Sequence, residues 1–246
     1  MVRKPYNIPM RFTARNDYAF KKLFGTEENK DIMIEFLSLV TQLSKDDFDD
    51  IRIENSEYIP LFYNDKIGRL DIKIRLHDGR KIDVEMQNTY FDYYPKRSIF
   101  YCSKLIHEHF MSGFQYTQLK KCIAINVLNS PFKLSGKIHS IYQIREQEEQ
   151  TLLDELLEIH FLDLTKLKKG NLTSLEKWLM FIKTDSKEER QMLAQENPAM
   201  AKANQIMDIF YLDEQERRRY EAAWEYESDR LSMISESERK GLERGL

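Results

Sequence analysis

Two carboxylates and an amide recur at alternate positions of one short segment, GRLDIKIRLHDGRKIDVEMQ, residues 68–87. In its first arm Leu70, Ile72, Ile74 and Leu76 alternate with Asp71, Lys73 and Arg75. In its second arm Ile82, Val84 and Met86 alternate with Asp83, Glu85 and Gln87. Period-two alternation in two arms around His77-Asp78-Gly79 predicts a β-hairpin. A two-residue Asp78-Gly79 turn would pair Asp71 with Met86 and mix charged with apolar side chains on both faces. A three-residue loop with Gly79 in the left-handed conformation pairs Leu76 with Arg80 instead, and segregates the faces completely. This register sets Leu70, Ile72 and Ile74 opposite Met86, Val84 and Ile82. On the other face Arg69 meets Gln87, Asp71 meets Glu85, Lys73 meets Asp83, and Arg75 meets Lys81.

The chemistry follows from the register. Facing carboxylates, with Cβ atoms roughly 4.5–5.5 Å apart, repel one another unless a cation lies between them. Mg2+ and Mn2+ prefer hard oxygen ligands of this kind. Gln87, one step along the same face, could ligate through its carbonyl or hold a water. The competing reading is a solvated polar face laced by cross-strand ion pairs such as Lys73–Asp83, and the spacing alone leaves both open.

The remaining elements must carry this hairpin. Residues 17–24 predict a short helix capped by Asn16 and closed by Gly25, and residues 29–40 a second helix. Residues 51–53 and 58–62 read as short strands. Residues 96–111 read as a helix stopped by Gly113, with Ile99, Phe100, Ser103, Ile106, His107 and Phe110 on its apolar side. CIAINVL, residues 122–128, has the length of a buried strand. Residues 138–144 and 159–164 are further strand candidates. Beyond about residue 167 the pattern turns helical, at 174–183, 188–196 and 198–211. A long, exposed helix follows from residue 213. The expected organisation is a domain over 1–167 and a helical C-terminal region over 168–246.

Composition narrows the classes. Hydrophobic residues make up 41% of the 246, enough for a substantial core, while 32% are charged. The net charge of −3 gives no bulk basic field, so any nucleic-acid contact must rest on a local patch. The two cysteines, Cys102 and Cys122, provide neither a disulfide framework nor zinc spacing and suit a reducing cytosol. No leader-like or membrane-length apolar run is present in the sequence, so a cytoplasmic location is expected. His107 and His109 lie two apart and do not share a helix face, which argues against zinc there.

Together these motifs resemble the recombination-promoting nuclease and transposase family of bacteria, a branch of the PD-(D/E)XK nuclease superfamily. The resemblance rests on N-D-x-x-F-K-x-x-F at 16–24, L-D-I at 70–72 and E-M-Q at 85–87. It extends through Arg97 and Tyr101 on the third helix, G-x-x-Y-x-x-L at 113–119, I-A-I-N-x-L at 123–128, and the helical C-terminus. It implies an α/β fold: a restriction-endonuclease-like αβββαβ core, a mixed central sheet flanked by helices, with a helical C-terminal extension. It also implies a divalent-metal-dependent endodeoxyribonuclease linked to recombination, transposition or defence against foreign DNA. Asp71 and Glu85 would hold Mg2+ or Mn2+, and Asp17 and Lys21 match family positions. Where the superfamily carries a lysine, this chain has Gln87, which can hydrogen-bond but cannot neutralise charge. Lys21, Lys73 or Arg97 could supply the missing cation.

Other readings stand beside these. Asp17 reads equally as a helix N-terminal charge favoured by the dipole, and Lys21 as a solvated helix lysine. Lys73, Lys96, Arg97 and Lys104 are candidate phosphate contacts or plain surface charges. Tyr90, Phe91, Tyr93 and Tyr94 could stack on bases or pack between strand and helix. The alternative function is a weak or inactive DNA-binding, transposon-associated protein. In that reading it self-associates, as a homo-oligomer such as a dimer, through C-terminal helices bearing Trp224, Leu231 and Ile234.

Overall fold

The computed structural model describes residues 11–54, 72–89, 91–111, 113, 115–243 and 245. Its centre is a six-stranded mixed sheet in the order β1-β2-β3-β4-β6-β5. The strands are β1 (Arg52–Glu54), β2 (Ile72–Arg75), β3 (Lys81–Gln87), β4 (Cys122–Leu128), β5 (His139–Gln143) and β6 (Leu157–Asp163). β3, β4 and β6 run parallel, while β1, β2 and β5 join antiparallel. Seven α-helices flank the sheet among the described residues: α1 (Asp17–Phe24), α2 (Lys30–Thr41), α3 (Tyr94–Met111), α4 (Ser174–Lys183), α5 (Lys187–Ala194), α6 (Pro198–Leu212) and α7 (Glu214–Glu243). This is the helix-flanked mixed sheet that the resemblance implied. The strand expected at 58–62 lies outside the described residues, as does Asp71.

Local chemistry explains the elements that position the site. The Asn16 side chain accepts the Ala19 amide at 3.1 Å and caps α1. Gly25 ends it by donating to the Lys21 carbonyl at 2.7 Å; a Cβ at Gly25 would sit 2.8 Å from that oxygen. The hairpin takes the three-residue loop. The Leu76 amide donates to the Arg80 carbonyl, the Gly79 amide returns to Leu76, and Gly79 has φ +91°. Ile72 is therefore opposite Val84, Lys73 opposite Asp83, Ile74 opposite Ile82, and Arg75 opposite Lys81.

One face of this sheet is apolar. Ile72, Ile74, Ile82, Val84, Met86, Ile123, Ile125 and Val127 enter the main core with α1, α2, α4, α6 and the start of α7. Rings interlock there: Phe24 lies 5.2 Å from Phe36 and 6.0 Å from Trp178, and Phe12 lies 4.9 Å from Tyr220. The core is continuous across residue 167. The guanidinium of Arg190 is wholly enclosed and donates to the Phe12 carbonyl at 2.6 Å.

The opposite face overturns an expectation. It is neither apolar nor solvated: Lys81, Asp83, Glu85 and Gln87 are all buried beneath α3. α3 meets them with Tyr94, Ser98, Tyr101, Cys102, Leu105 and His109, and leaves Ile99 and Phe100 about half exposed. The helix is rotated from the orientation its apolar stripe predicts, because buried charges need partners more than Ile99 and Phe100 need cover. Lys73 and Lys81 both reach Glu108, at 2.7 and 2.6 Å, and Lys73 also reaches Glu54 at 3.1 Å.

α7 also departs from the expected fully exposed helix. Tyr220 is buried, and Trp224, read as part of a self-association seam, packs on the chain's own core. The Tyr220 hydroxyl accepts the Thr13 amide at 2.9 Å and donates to the Thr13 carbonyl at 3.2 Å. Tyr220→Phe strands both groups in the interior and is expected to cost about 1–3 kcal/mol. A melting temperature lower by several degrees, with unchanged secondary structure by circular dichroism, is the outcome to look for; an unaltered melt would refute this account of how α7 is held.

Candidate functional site

The C-terminal end of β3 opens into a cleft of about 310 Å3 lined by Arg15, Asp17, Lys21, Met86, Gln87, Asn88, Arg97, Ala223, Tyr226 and Glu227. Crevices at the carboxyl ends of parallel strands are where α/β sheets commonly place their ligands. Three segments build the walls: the start of α1, the first turn of α3 and the middle of α7. They converge because α1 is capped against α7 through Asn16, whose amide donates to the Tyr220 carbonyl at 3.1 Å. Tyr18 and Lys22 on α1 also bond Glu216 of α7.

Glu85 lies beneath the cleft and is 2% exposed. Arg97 Nη2 donates to its Oε1 at 3.1 Å, and Gln87 Nε2 donates to its Oε2 at 3.1 Å. The Tyr94 hydroxyl donates to Gln87 Oε1 at 2.5 Å. That bond fixes the amide with its N–H toward Glu85 and its carbonyl toward Tyr94. Gln87 thus donates to the carboxylate while its carbonyl accepts from Tyr94. Ser98, one turn after Tyr94, donates to Asn126 of β4 at 2.8 Å and pins the same stretch of α3 to the sheet.

Electrostatics follow from burial. Desolvation pushes the Glu85 carboxyl above its ordinary pKa, against the opposing pull of Arg97, Gln87 and Lys21. Burial disfavours the charged guanidinium of Arg97, but Glu85, Tyr101 and Tyr94 outweigh it and hold Arg97 above its usual value. The Arg97 guanidinium also lies 5.8 and 5.2 Å from the ring centroids of Tyr94 and Tyr101. Its Nε is buried without a hydrogen-bond acceptor among the described residues.

Of the residues expected from sequence, Asp17, Lys21, Gln87 and Arg97 line the cleft, and Glu85 lies buried behind Gln87 and Arg97, bonded to both. Asp17 and Lys21 form an i,i+4 ion pair at 3.0 Å. Lys73 belongs to the other end of the polar face, among Glu54 and Glu108, so the cation beside Glu85 is Arg97. Lys96 is exposed on the outer side of α3. Asp71 lies outside the described residues, although the four pairs of the β2–β3 register agree with the expected alignment. Glu85 supplies one hard oxygen donor. Among the described residues, no three His, Cys, Asp or Glu side chains converge as a metal cage.

Four polar cleft residues were missed from sequence: Arg15, Asn88, Tyr226 and Glu227. Asn88 donates to the Arg15 carbonyl at 2.9 Å and to Glu227 Oε2 at 3.3 Å, tying β3 to α7. Arg15 adjoins the Asn16 cap, a local signal that could have drawn notice. Tyr226 and Glu227 come from α7, Glu227 lying 139 positions beyond Asn88, and no local pattern marks them.

The family model for PD-(D/E)XK nuclease family transposases matches residues 14–237. No curated protein and no solved structure matches the chain.

Arg97→Met removes the cation beside a buried carboxylate and is expected to cost about 2 kcal/mol in EDTA. A carboxyl whose folded pKa is raised stabilises the fold below its unfolded value and loses that contribution as pH rises through the folded value. Removing Arg97 enlarges the upward shift. The melting deficit of the variant should therefore grow from pH 5 to pH 8; a deficit independent of pH would count against the Arg97–Glu85 pairing.

Proposed function

Since the chain belongs to the PD-(D/E)XK nuclease family transposases, we propose that it is an endonuclease hydrolysing DNA phosphodiester bonds with a divalent metal, Mg2+ or Mn2+, held by Asp71 and Glu85. The observation that carries this reading is Glu85, a carboxylate buried beneath a cleft whose walls present Arg15, Lys21 and Arg97. A buried acid aimed at cationic walls suits an anionic substrate bridged to the acid by a cation.

The bound metal would supply Lewis acidity and lower the pKa of a water. The chain's own groups have separate tasks. Arg97 neutralises phosphate charge and takes over the electrostatic role of the superfamily lysine. Its hydrogen bond to Glu85 orients the guanidinium at the edge of the cleft. Gln87, held by Tyr94, keeps one oxygen of Glu85 in a fixed orientation and offers polar contact at the cleft surface. Lys21 adds a second cation, and Asp17 holds its ammonium group. No helix among the described residues is long and apolar enough to cross a membrane. The family's transposase description supports a part in DNA rearrangement.

Supercoiled plasmid incubated with Mg2+, Mn2+ or EDTA tests the reading. Nicking is expected with either metal and not with EDTA. Asp71→Ala and Glu85→Ala should each lower the rate by about a hundredfold or more, the order of loss seen when a group stabilising transition-state charge is removed. Nicking by Asp71→Ala at the wild-type rate would sink the proposal.

A further inference from the structure

The outer side of α3 departs from the usual distribution of residues on an amphipathic helix. Its inner side sets Ser98 and His109 among Tyr94, Tyr101, Cys102 and Leu105, and its solvent side also carries rings and aliphatic groups. Tyr93, just before the helix, is 52% exposed, and Phe100 is 48% exposed. Lys96 is exposed between them, and Lys104 Nζ lies 4.8 Å over the Phe100 ring. The spacing Tyr93, Lys96, Phe100, Lys104 is three or four residues at each step, so the four form one ridge. Phe110 packs edge-on at 5.1 Å against the exposed Tyr116 near the far end of the helix.

We propose that this ridge is a track for an unpaired DNA strand that runs from the cleft. The inference rests on the reading of the cleft as a DNA-cleaving site and names the substrate it prefers: DNA with a single-stranded segment beside the cut. Three observations carry it. First, rings alternating with ammonium groups are what a single strand requires, since bases stack on rings while phosphates meet cations. In a duplex the flat faces of the bases are already stacked on one another, so such a ridge favours unpaired strands. Second, the track begins at the cleft. The Phe91 and Tyr93 rings lie parallel, 5.2 Å apart with planes at 5°, and Tyr93 is 5.6 Å from Tyr94, the residue bonded to Gln87. Third, the charge is complementary to a phosphate chain. The sole acid of α3, Glu108, is engaged by Lys73 and Lys81 on the inner side. The 18-residue helix is about 27 Å long, room for several nucleotides.

Fluorescence anisotropy in EDTA tests the track without cleavage, using labelled oligothymidylate and a duplex of equal length. The wild-type protein should hold the single strand more tightly than the duplex. The double variant Tyr93→Ala/Phe100→Ala should lose about tenfold or more for the strand, with duplex binding nearly unchanged. Tyr93→Phe should retain strand binding. Lys96→Glu should weaken it and flatten its salt dependence. Equal strand affinity in wild type and double variant would overturn the proposal. So would a double variant whose only change is a smaller assembly by light scattering, because the face would then serve self-association. If wild type nicks no plasmid while strand binding responds to these variants, the nuclease reading fails and the track stands. If plasmid is nicked and the rings are irrelevant to binding, the track alone fails.

Discussion

The fold depends on one unusual interface, a charged sheet face that is nonetheless buried. Lys81, Asp83, Glu85 and Gln87 project from a strand whose seven residues are all buried. Desolvated charges of this kind are tolerated only with partners in place. α3 provides them residue by residue: Tyr94 for Gln87, Arg97 for Glu85, Ser98 for Asn126, and Glu108 for Lys73 and Lys81. His109 adds a bond to the Gly79 carbonyl at 3.2 Å, at the hairpin loop itself. Helix and hairpin are therefore keyed together at both ends. A slip in the strand register would break every pair at once.

That interface also divides the labour of the polar face. At the hairpin-loop end, lysines and glutamates satisfy one another and hold the structure. At the other end, the Glu85 carboxylate lies between the Arg97 guanidinium and the Gln87 amide. Gln87 contributes no charge there. Arg97 contributes charge in a rigid, planar fork that suits phosphate geometry better than an ammonium group does.

Much of this was legible in the sequence, and the limits have a physical origin. The hairpin register could be worked out because alternation and the Gly79 loop are local rules, and the structure has those pairs in β2 and β3. The caps of α1 and the extent of β4 were equally local. The rotation of α3 was not legible from its own residues. Its apolar stripe points outward, and only the charged strand beneath it explains why. The cleft wall from α7 was hidden for a related reason: Tyr226 and Glu227 acquire meaning only when α1 has brought α7 alongside β3. Lys73 looked like a substrate contact until Glu108, 35 positions away, was seen to claim it.

The late position of that wall in the chain has a consequence for synthesis. As the polypeptide leaves the ribosome, the strand bearing Glu85 and the helix bearing Arg97 emerge well before Tyr226 and Glu227. A nascent chain can form the floor and one side of the cleft, but the enclosure closes only when α7 arrives and settles on α1. Closure of the cleft is thus deferred until α7 has been made, and a chain broken off before α7 would carry Glu85 and Arg97 in an open, unwalled arrangement.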